Sequence, residues 1–227
     1  MSERDARTIK LIGEEAMGKL QTASVAVIGC GGVGSYAAEA LARAGIGRIT
    51  LMDGDAVAES NLNRQLVALT STLGRNKAEV MAERIKDINP NAEVKAVAGF
   101  YKKEDDLPLS EFDWVVDAID DVDGKVELIK NAKKDGVNIV SAMGAAGKIC
   151  TVFKSADISK TSVCPLARVM RRRLRDVGIE HLPVVYSEEK PAPRDGDLGT
   201  LSFVPGSAGL ELAGYVIKEI TGVSKAE

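Results

Sequence analysis

Ser24-Val25-Ala26-Val27-Ile28-Gly29-Cys30-Gly31-Gly32-Val33-Gly34 is the stretch whose reading decides the fold. Residues 24–28 form a short β-branched run that ends in glycines, the mark of a buried parallel strand. Residues 33–44 (VGSYAAEALARA) carry helical spacing, and Gly45 closes it. Between them, Gly29, Gly31 and Gly34 satisfy G-x-G-x-x-G, with an extra glycine at Gly32. Strand, glycine turn and helix are the context that motif requires. Glycines let the backbone approach phosphates, while the helix N-terminus offers N–H groups and the positive end of a dipole. The bland alternative is a tight strand-to-helix turn that binds nothing.

Working outward, residues 48–52 (RITLM) read as a second strand ending at Asp53. Residues 75–88 read as a helix stopped by Asn89-Pro90. Residues 93–98, 113–119 and 137–142 read as strands, with a helix over 123–134. Strands alternating with helices in this rhythm predict an α/β fold: a Rossmann-like, mainly parallel sheet flanked by helices. After Gly147 the rhythm changes. Residues 149–154 (ICTVFK) are expected to be a strand, 163–176 a basic helix, 182–186 a strand and 207–221 a closing helix. Residues 187–199 (SEEKPAPRDGDLG) form a long polar loop, either a lid or a connection. A soft boundary near 147 separates a core at 1–147, with its N-terminal helix, from a smaller extension at 148–227 that packs on the same core.

Composition excludes several classes. The 227 residues are 45% hydrophobic and 28% charged, enough for a full core without staples. A net charge of -3 points neither to a generic nucleic-acid binder nor to an acidic tail, though a local basic patch remains compatible with it. Cys30, Cys150 and Cys164 make no C-x-x-C pair, which argues against a disulfide framework and a structural zinc. Residues 1–21 mix charged and apolar side chains, so no signal peptide is expected. No apolar run reaches the roughly 18 residues of a membrane span. Residues 204–220 come nearest, interrupted by Glu211, Lys218 and Glu219. A cytoplasmic protein without membrane contact is expected.

Asp53 follows the glycines by about 20 residues, where a carboxylate accepts ribose hydroxyls. Glycines plus Asp53 suit NAD as well as ATP. The cations that follow lean the choice to ATP: Arg64 in Asn61-Leu62-Asn63-Arg64-Gln65, and then Lys77. Hydride transfer needs no such cluster, whereas opening ATP at its α-phosphate develops charge that cations stabilise. A surface position for Arg64 and a solvated helix position for Lys77 are the alternatives. Asp120 and Asp121 lie just past the fourth strand, with Asp117 inside it. A carboxylate beside a triphosphate calls for a metal, so Asp120 points to Mg2+. Capping of the next helix fits Asp121 better.

These motifs together resemble the ubiquitin-activating-enzyme-like (ThiF/MoeB/HesA) adenylyltransferases. They are R-x-x-R-x-I at 4–9, the glycine turn, Asp53-x-Asp55, Asn61-x-x-Arg64-Gln65, Lys77 and Asp117-x-x-Asp120. The resemblance implies a nucleotide site of Gly29, Gly31, Gly32, Gly34, Asp53, Asp55, Asn61, Arg64 and Lys77. Asp53 would hold ribose, Arg64 and Lys77 the phosphates, and Asp120 Mg2+. Arg7 would reach across a homodimer to the partner's ATP.

Within that superfamily the chain looks most like the branch that modifies tRNA. RTIKLIG at 7–13, AMGAAG at 142–147, KTSVCPLARVMRRRL at 160–174 and VVYSEEKP at 184–191 carry this resemblance. It implies ATP-driven dehydration of N6-threonylcarbamoyladenosine beside the tRNA anticodon, by adenylating its carboxylate and closing a ring with loss of AMP. A monovalent cation and a sulfur-relay protein partner, known for some relatives, stay open. The missing C-x-x-C pairs argue against the zinc-bearing sulfur-carrier activators, and the chain has no room for a thioester-cysteine domain. Cys164, where an aspartate often stands in this branch, reads as a structural thiol, with a nucleophilic role as the alternative.

Arg168, Arg171, Arg172, Arg173 and Arg175 cluster on one predicted helix and are the candidate tRNA phosphate contact. A solvated face paired with local acids is the alternative. His181 reads as structural and Trp114 as core. The rival functions are activation of a small carrier protein's C-terminus, NAD-dependent oxidoreduction, and silent ATP sensing.

Overall fold

A computed structural model describes residues 3–192 and 198–223. Helix α1 (Ala6–Thr22) leads into strand β1 (Ser24–Ile28), bending at Gly13, whose φ of 84° interrupts the helical backbone. Strands β2 (Arg48–Met52), β3 (Glu93–Val97), β4 (Trp114–Asp117), β5 (Asn138–Ala142), β6 (Lys154–Asp157) and β7 (Pro183–Tyr186) join β1 in one sheet ordered β3-β2-β1-β4-β5-β7-β6. Every pairing is parallel except β6 with β7. Helices α2 (Gly34–Ala44), α3 (Lys77–Ile88), α4 (Val122–Lys134), α5 (Pro165–Asp176) and α6 (Phe203–Thr221) complete the fold.

All five residues of β1 are buried because both faces are covered. Val25 and Val27 point into a core shared with α1, α2, α3 and α6. Ala26 and Ile28 point into a second core with α4 and α5. Trp114 sits in the first, edge-on to Tyr215 with ring centroids 5.9 Å apart. Strands from both sides of Gly147 contribute to the one sheet, and α6 returns to pack on α2. Among the described residues, no helix is long and apolar enough to cross a membrane.

One expected strand is absent. Residues 149–153 form no strand, and β6 begins only at Lys154, antiparallel to β7. The backbone donors of Ile149 and Cys150 go instead to the two carboxylate oxygens of Glu189, each at 2.9 Å. Ile149 and Val152 stay exposed. Local β-propensity without a neighbouring strand did not make a ladder here. Part of the 187–199 loop, residues 193–197, lies outside the described residues.

Candidate active site

The sheet order reverses between β1 and β4, and ligands of open parallel sheets bind outside the carboxyl ends of the strands at such a point. A cavity of about 640 Å³ opens there, bordered by the glycine turn, Asp53, Arg64, Lys77 and Asp120. A second cleft, about 370 Å³, lies beside Ser24, Arg48 and Glu93 at the opposite, amino ends of the strands. It holds none of the phosphate-binding features.

The turn is glycine for steric reasons. Gly29 has φ 93°, and a Cβ there would meet the Ala118 carbonyl oxygen at 2.6 Å. A Cβ on Gly34 would lie 1.8 Å from the Gly29 oxygen, so only glycine lets α2 start this close to β1. No side chain caps α2: Ser35 Oγ donates to the Gly31 oxygen at 2.7 Å instead. Gly31, Gly32 and Val33 border the cavity, so an uncapped helix N-terminus faces it, as an anion requires.

Asp53 is buried, and its carboxylate accepts from Cys30 N–H at 2.6 Å and Asp55 N–H at 2.8 Å. Burial raises its pKa, and the two backbone hydrogen bonds offset only part of that. A carboxylate offers about four acceptor positions, which leaves capacity for ribose hydroxyls. Asn76 caps α3 through Ala78 N–H and Glu79 N–H, and its amide donates to the Asp53 carbonyl at 2.9 Å. The next residue, Lys77, is thereby set into the cavity wall. Its side chain is 7% exposed, with Nζ 2.8 Å from Asp55 Oδ2, so it is not a solvated helix position. Asp55 serves as the lysine's counter-charge.

Arg64 is half-buried, with its Cγ 3.5 Å from where a Gly32 Cβ would stand. Its Nη1 donates to Ser60 O at 2.9 Å and Asn63 Oδ1 at 2.8 Å. Asn61 does not border the cavity. Its side chain accepts from Ala58 N–H and its carbonyl from Arg64 and Gln65 N–H, which makes it the brace of the turn carrying Arg64. Gln65 had no role assigned from sequence, yet it borders the cavity beside Gly31. Among the described residues, its Oε1 is the buried side-chain nitrogen or oxygen atom left without a hydrogen-bond partner. Such an orphan costs about 1–3 kcal/mol, and a polar ligand in the cavity would relieve it.

Asp120 is exposed, borders the cavity and makes no hydrogen bond among the described residues, whereas Asp121 caps α4 by accepting from Gly124 N–H at 2.6 Å. Among the described residues, no group of three acidic, histidine or cysteine side chains could cage a metal. One free carboxylate beside a phosphate site still suits Mg2+, which binds through one or two carboxylates plus substrate phosphates. Arg7 lies exposed on α1 and does not border this cavity.

Two of the five arginines on α5 are spent internally. Arg171 donates to Ile158 O at 3.0 Å, to Thr161 O at 2.7 Å and to Thr161 Oγ1, while Arg173 pairs with Asp123 of α4. These two tie α5 to its neighbours, leaving Arg168, Arg172 and Arg175 exposed. Cys164 is 3% exposed within the second core. Burial pushes the Cys30 thiol far above its ordinary range, so it is no nucleophile. His181 is exposed, 3.4 Å from Asp157. Phe100, residues 144–146, Leu166 and Thr200 also border the cavity unforeseen. The carboxyl-end rule, applied to the loops after the third and fifth strands, would have flagged most of them.

A family model described as ThiF family matches residues 3–227. A tRNA threonylcarbamoyladenosine dehydratase of Bacillus subtilis is 40% identical over 97% of this chain and 95% of its own length. The Escherichia coli protein of that name is 43% identical over 78% of this chain and 68% of its own. Crystal structures of E. coli tRNA N6-threonylcarbamoyladenosine dehydratase superpose with TM-scores of 0.90 for the AMP complex and 0.89 for the ATP complex. They are 37% and 36% identical to this chain, each covering 97% of it and 94% of the crystallised chain. With these matches running over nearly its whole length, the chain belongs to the ThiF family.

Proposed function

We propose that this chain uses ATP to dehydrate N6-threonylcarbamoyladenosine in tRNA, closing its side chain into a ring. The carrying observation is that Lys77, Arg64 and Asp120 border the same cavity as the uncapped helix N-terminus. A hydride-transfer site has no use for that set. The relatives named above, and the ATP and AMP complexes of one of them, support the acceptor and the nucleotide.

The chemistry starts with a carboxylate already ionised at neutral pH, so it needs no strong general base. The threonyl carboxylate attacks the α-phosphorus of ATP; the acyl-adenylate forms and pyrophosphate leaves. A nucleophile within the modified nucleoside then displaces AMP and closes the ring, for a net loss of one water. The N–H groups at Gly31 to Val33, with Lys77 and Arg64, hold the phosphates and stabilise charge on the departing pyrophosphate. Asp120 would help to hold Mg2+ beside the phosphates, and the ion would supply further neutralisation of that charge. Asp53 orients the ribose.

Arg7 completes the γ-phosphate site from the second subunit of a homodimer, which accounts for its exposure away from its own cavity. The exposed arginines Arg168, Arg172 and Arg175 contact tRNA phosphates, and a tRNA substrate places the enzyme in the cytoplasm.

ATP–pyrophosphate exchange tests this reading. Exchange should depend on threonylcarbamoyl-modified tRNA. Exchange driven by a small carrier ending in Gly-Gly, and not by the tRNA, would replace it with carrier activation.

A further inference from the structure

Directly beneath the cavity lies a charged pair that none of the steps above uses. Lys125 of α4 and Asp117 of β4 are both 0% exposed, with Nζ and Oδ2 3.0 Å apart. The Ser141 hydroxyl of β5 donates to the same Oδ2 at 2.5 Å. An ion pair this deep loses so much hydration that apolar residues of similar volume often serve stability as well or better. The pair therefore calls for a purpose beyond holding the fold together.

Its remaining hydrogen bonds show where it acts. Asp117 Oδ1 accepts the N–H of Ile119 at 3.1 Å, and Lys125 Nζ donates to the carbonyl oxygen of Ile119 at 3.0 Å. Both peptide groups flanking Ile119 are thus gripped, and the second of them is the Ile119–Asp120 peptide. On the other side, Asp121 is fixed as the cap of α4. Asp120 stands between two anchors while its own carboxylate makes no hydrogen bond among the described residues. The point from which its side chain leaves the backbone at the cavity edge is consequently fixed.

We infer that Lys125, through its pair with Asp117, is a positioning residue that fixes the peptide carrying Asp120 and so aims the Asp120 carboxylate at the cation accompanying the nucleotide. This rests on the metal role proposed for Asp120. Neither Asp117 nor Lys125 borders the cavity, and both are fully buried, so loss of the clamp should spare substrate binding and weaken the metal-dependent step.

The test compares wild type, Asp120→Ala and the double variant Asp117→Leu/Lys125→Met, which removes both buried charges together with the acceptor for Ile119 N–H. The double variant should melt near wild type. Its Ile119 amide, held by Asp117 in the wild type, should exchange with solvent at least tenfold faster, while those of β4 and central α4 do not. Mn2+ binding to its ATP complex, followed by electron paramagnetic resonance, should weaken at least tenfold. Turnover should fall in parallel, with KM for tRNA unchanged. Wild-type amide exchange and Mn2+ affinity in the folded double variant would overturn the inference. Wild-type Mn2+ affinity in Asp120→Ala would instead overturn the metal role beneath it. If the double variant does not fold, Ser141→Ala, which removes one donor to Asp117, carries the same readouts. It should shift them in the same direction, and no shift counts against the clamp.

Discussion

Asp120 and Gly34 show how differently two residues of one site respond to change. Asp120 is exposed and makes no hydrogen bond among the described residues, so its replacement removes charge stabilisation and little else. Asp120→Ala should lower turnover by on the order of 10²–10³-fold while the melting curve and circular dichroism stay near wild type. Full turnover by the folded variant would end the metal assignment. Gly34 has no such freedom: a single methyl would stand 1.8 Å from the Gly29 oxygen. Gly34→Ala should destabilise the protein by on the order of 3 kcal/mol or more, read as a lower urea midpoint. That Gly29, Gly31, Gly32, Asp53, Arg64, Lys77 and Asp120 would border one cavity was legible from residue type and order. Asn61 was legible as part of the pattern but not in its role, because a capping amide and a ligand-binding amide look alike in sequence. Lys125 had a signal that passed unread: it falls at helical spacing among Val122, Val126 and Ile129, where a solvated lysine does not belong.

At the scale of elements, α5 separates arginines that look equivalent in sequence. Replacing Arg168, Arg172 and Arg175 by glutamine should weaken tRNA binding. The slope of log affinity against log salt should flatten by about 2–3, near one unit per lost phosphate contact. Arg171→Gln should instead lower the melting temperature, because it unties α5 from Ile158 and Thr161. An unchanged salt slope in the triple variant would remove α5 from the tRNA contact. Elsewhere, Glu39 of α2 bridges Arg43 and, across to α3, Arg84. Burial alone would raise the Glu39 carboxyl, but hydrogen bonds from Arg84 and Arg43 outweigh it and hold it below the ordinary carboxylate value. A lowered folded-state pKa contributes stability above the unfolded value and loses it as pH falls through the folded one. Glu39→Gln should therefore cost up to about 1 kcal/mol at neutral pH, and the gap to wild type should close on acidification below the carboxylate range. Strands and helices at 24–142 were legible because their hydrophobic period is regular. The stretch at 149–153 was not, because a hydrogen-bonding partner far away in sequence, Glu189, decides its backbone.

For the whole molecule, the sheet runs unbroken from β3 to β6, so residues beyond Gly147 help form the cavity wall through Leu166, Thr200 and Pro205. A pattern that slackens after Gly147 in sequence thus continues the same sheet in space. If Arg7 acts across a two-fold dimer, Arg7→Ala and Asp120→Ala subunits are each inactive alone, but their mixed dimer holds one intact site. Random mixing should restore about a quarter of wild-type activity, and no restoration would confine Arg7 to its own subunit. The most direct measurement concerns the product itself. Purified protein is incubated with ATP, Mg2+ and tRNA carrying threonylcarbamoyladenosine, and the digested nucleosides are weighed by mass spectrometry. The modified nucleoside should lose the mass of one water, with one AMP formed per ring closed. An unchanged nucleoside from a folded, ATP-binding protein would contradict the proposed function.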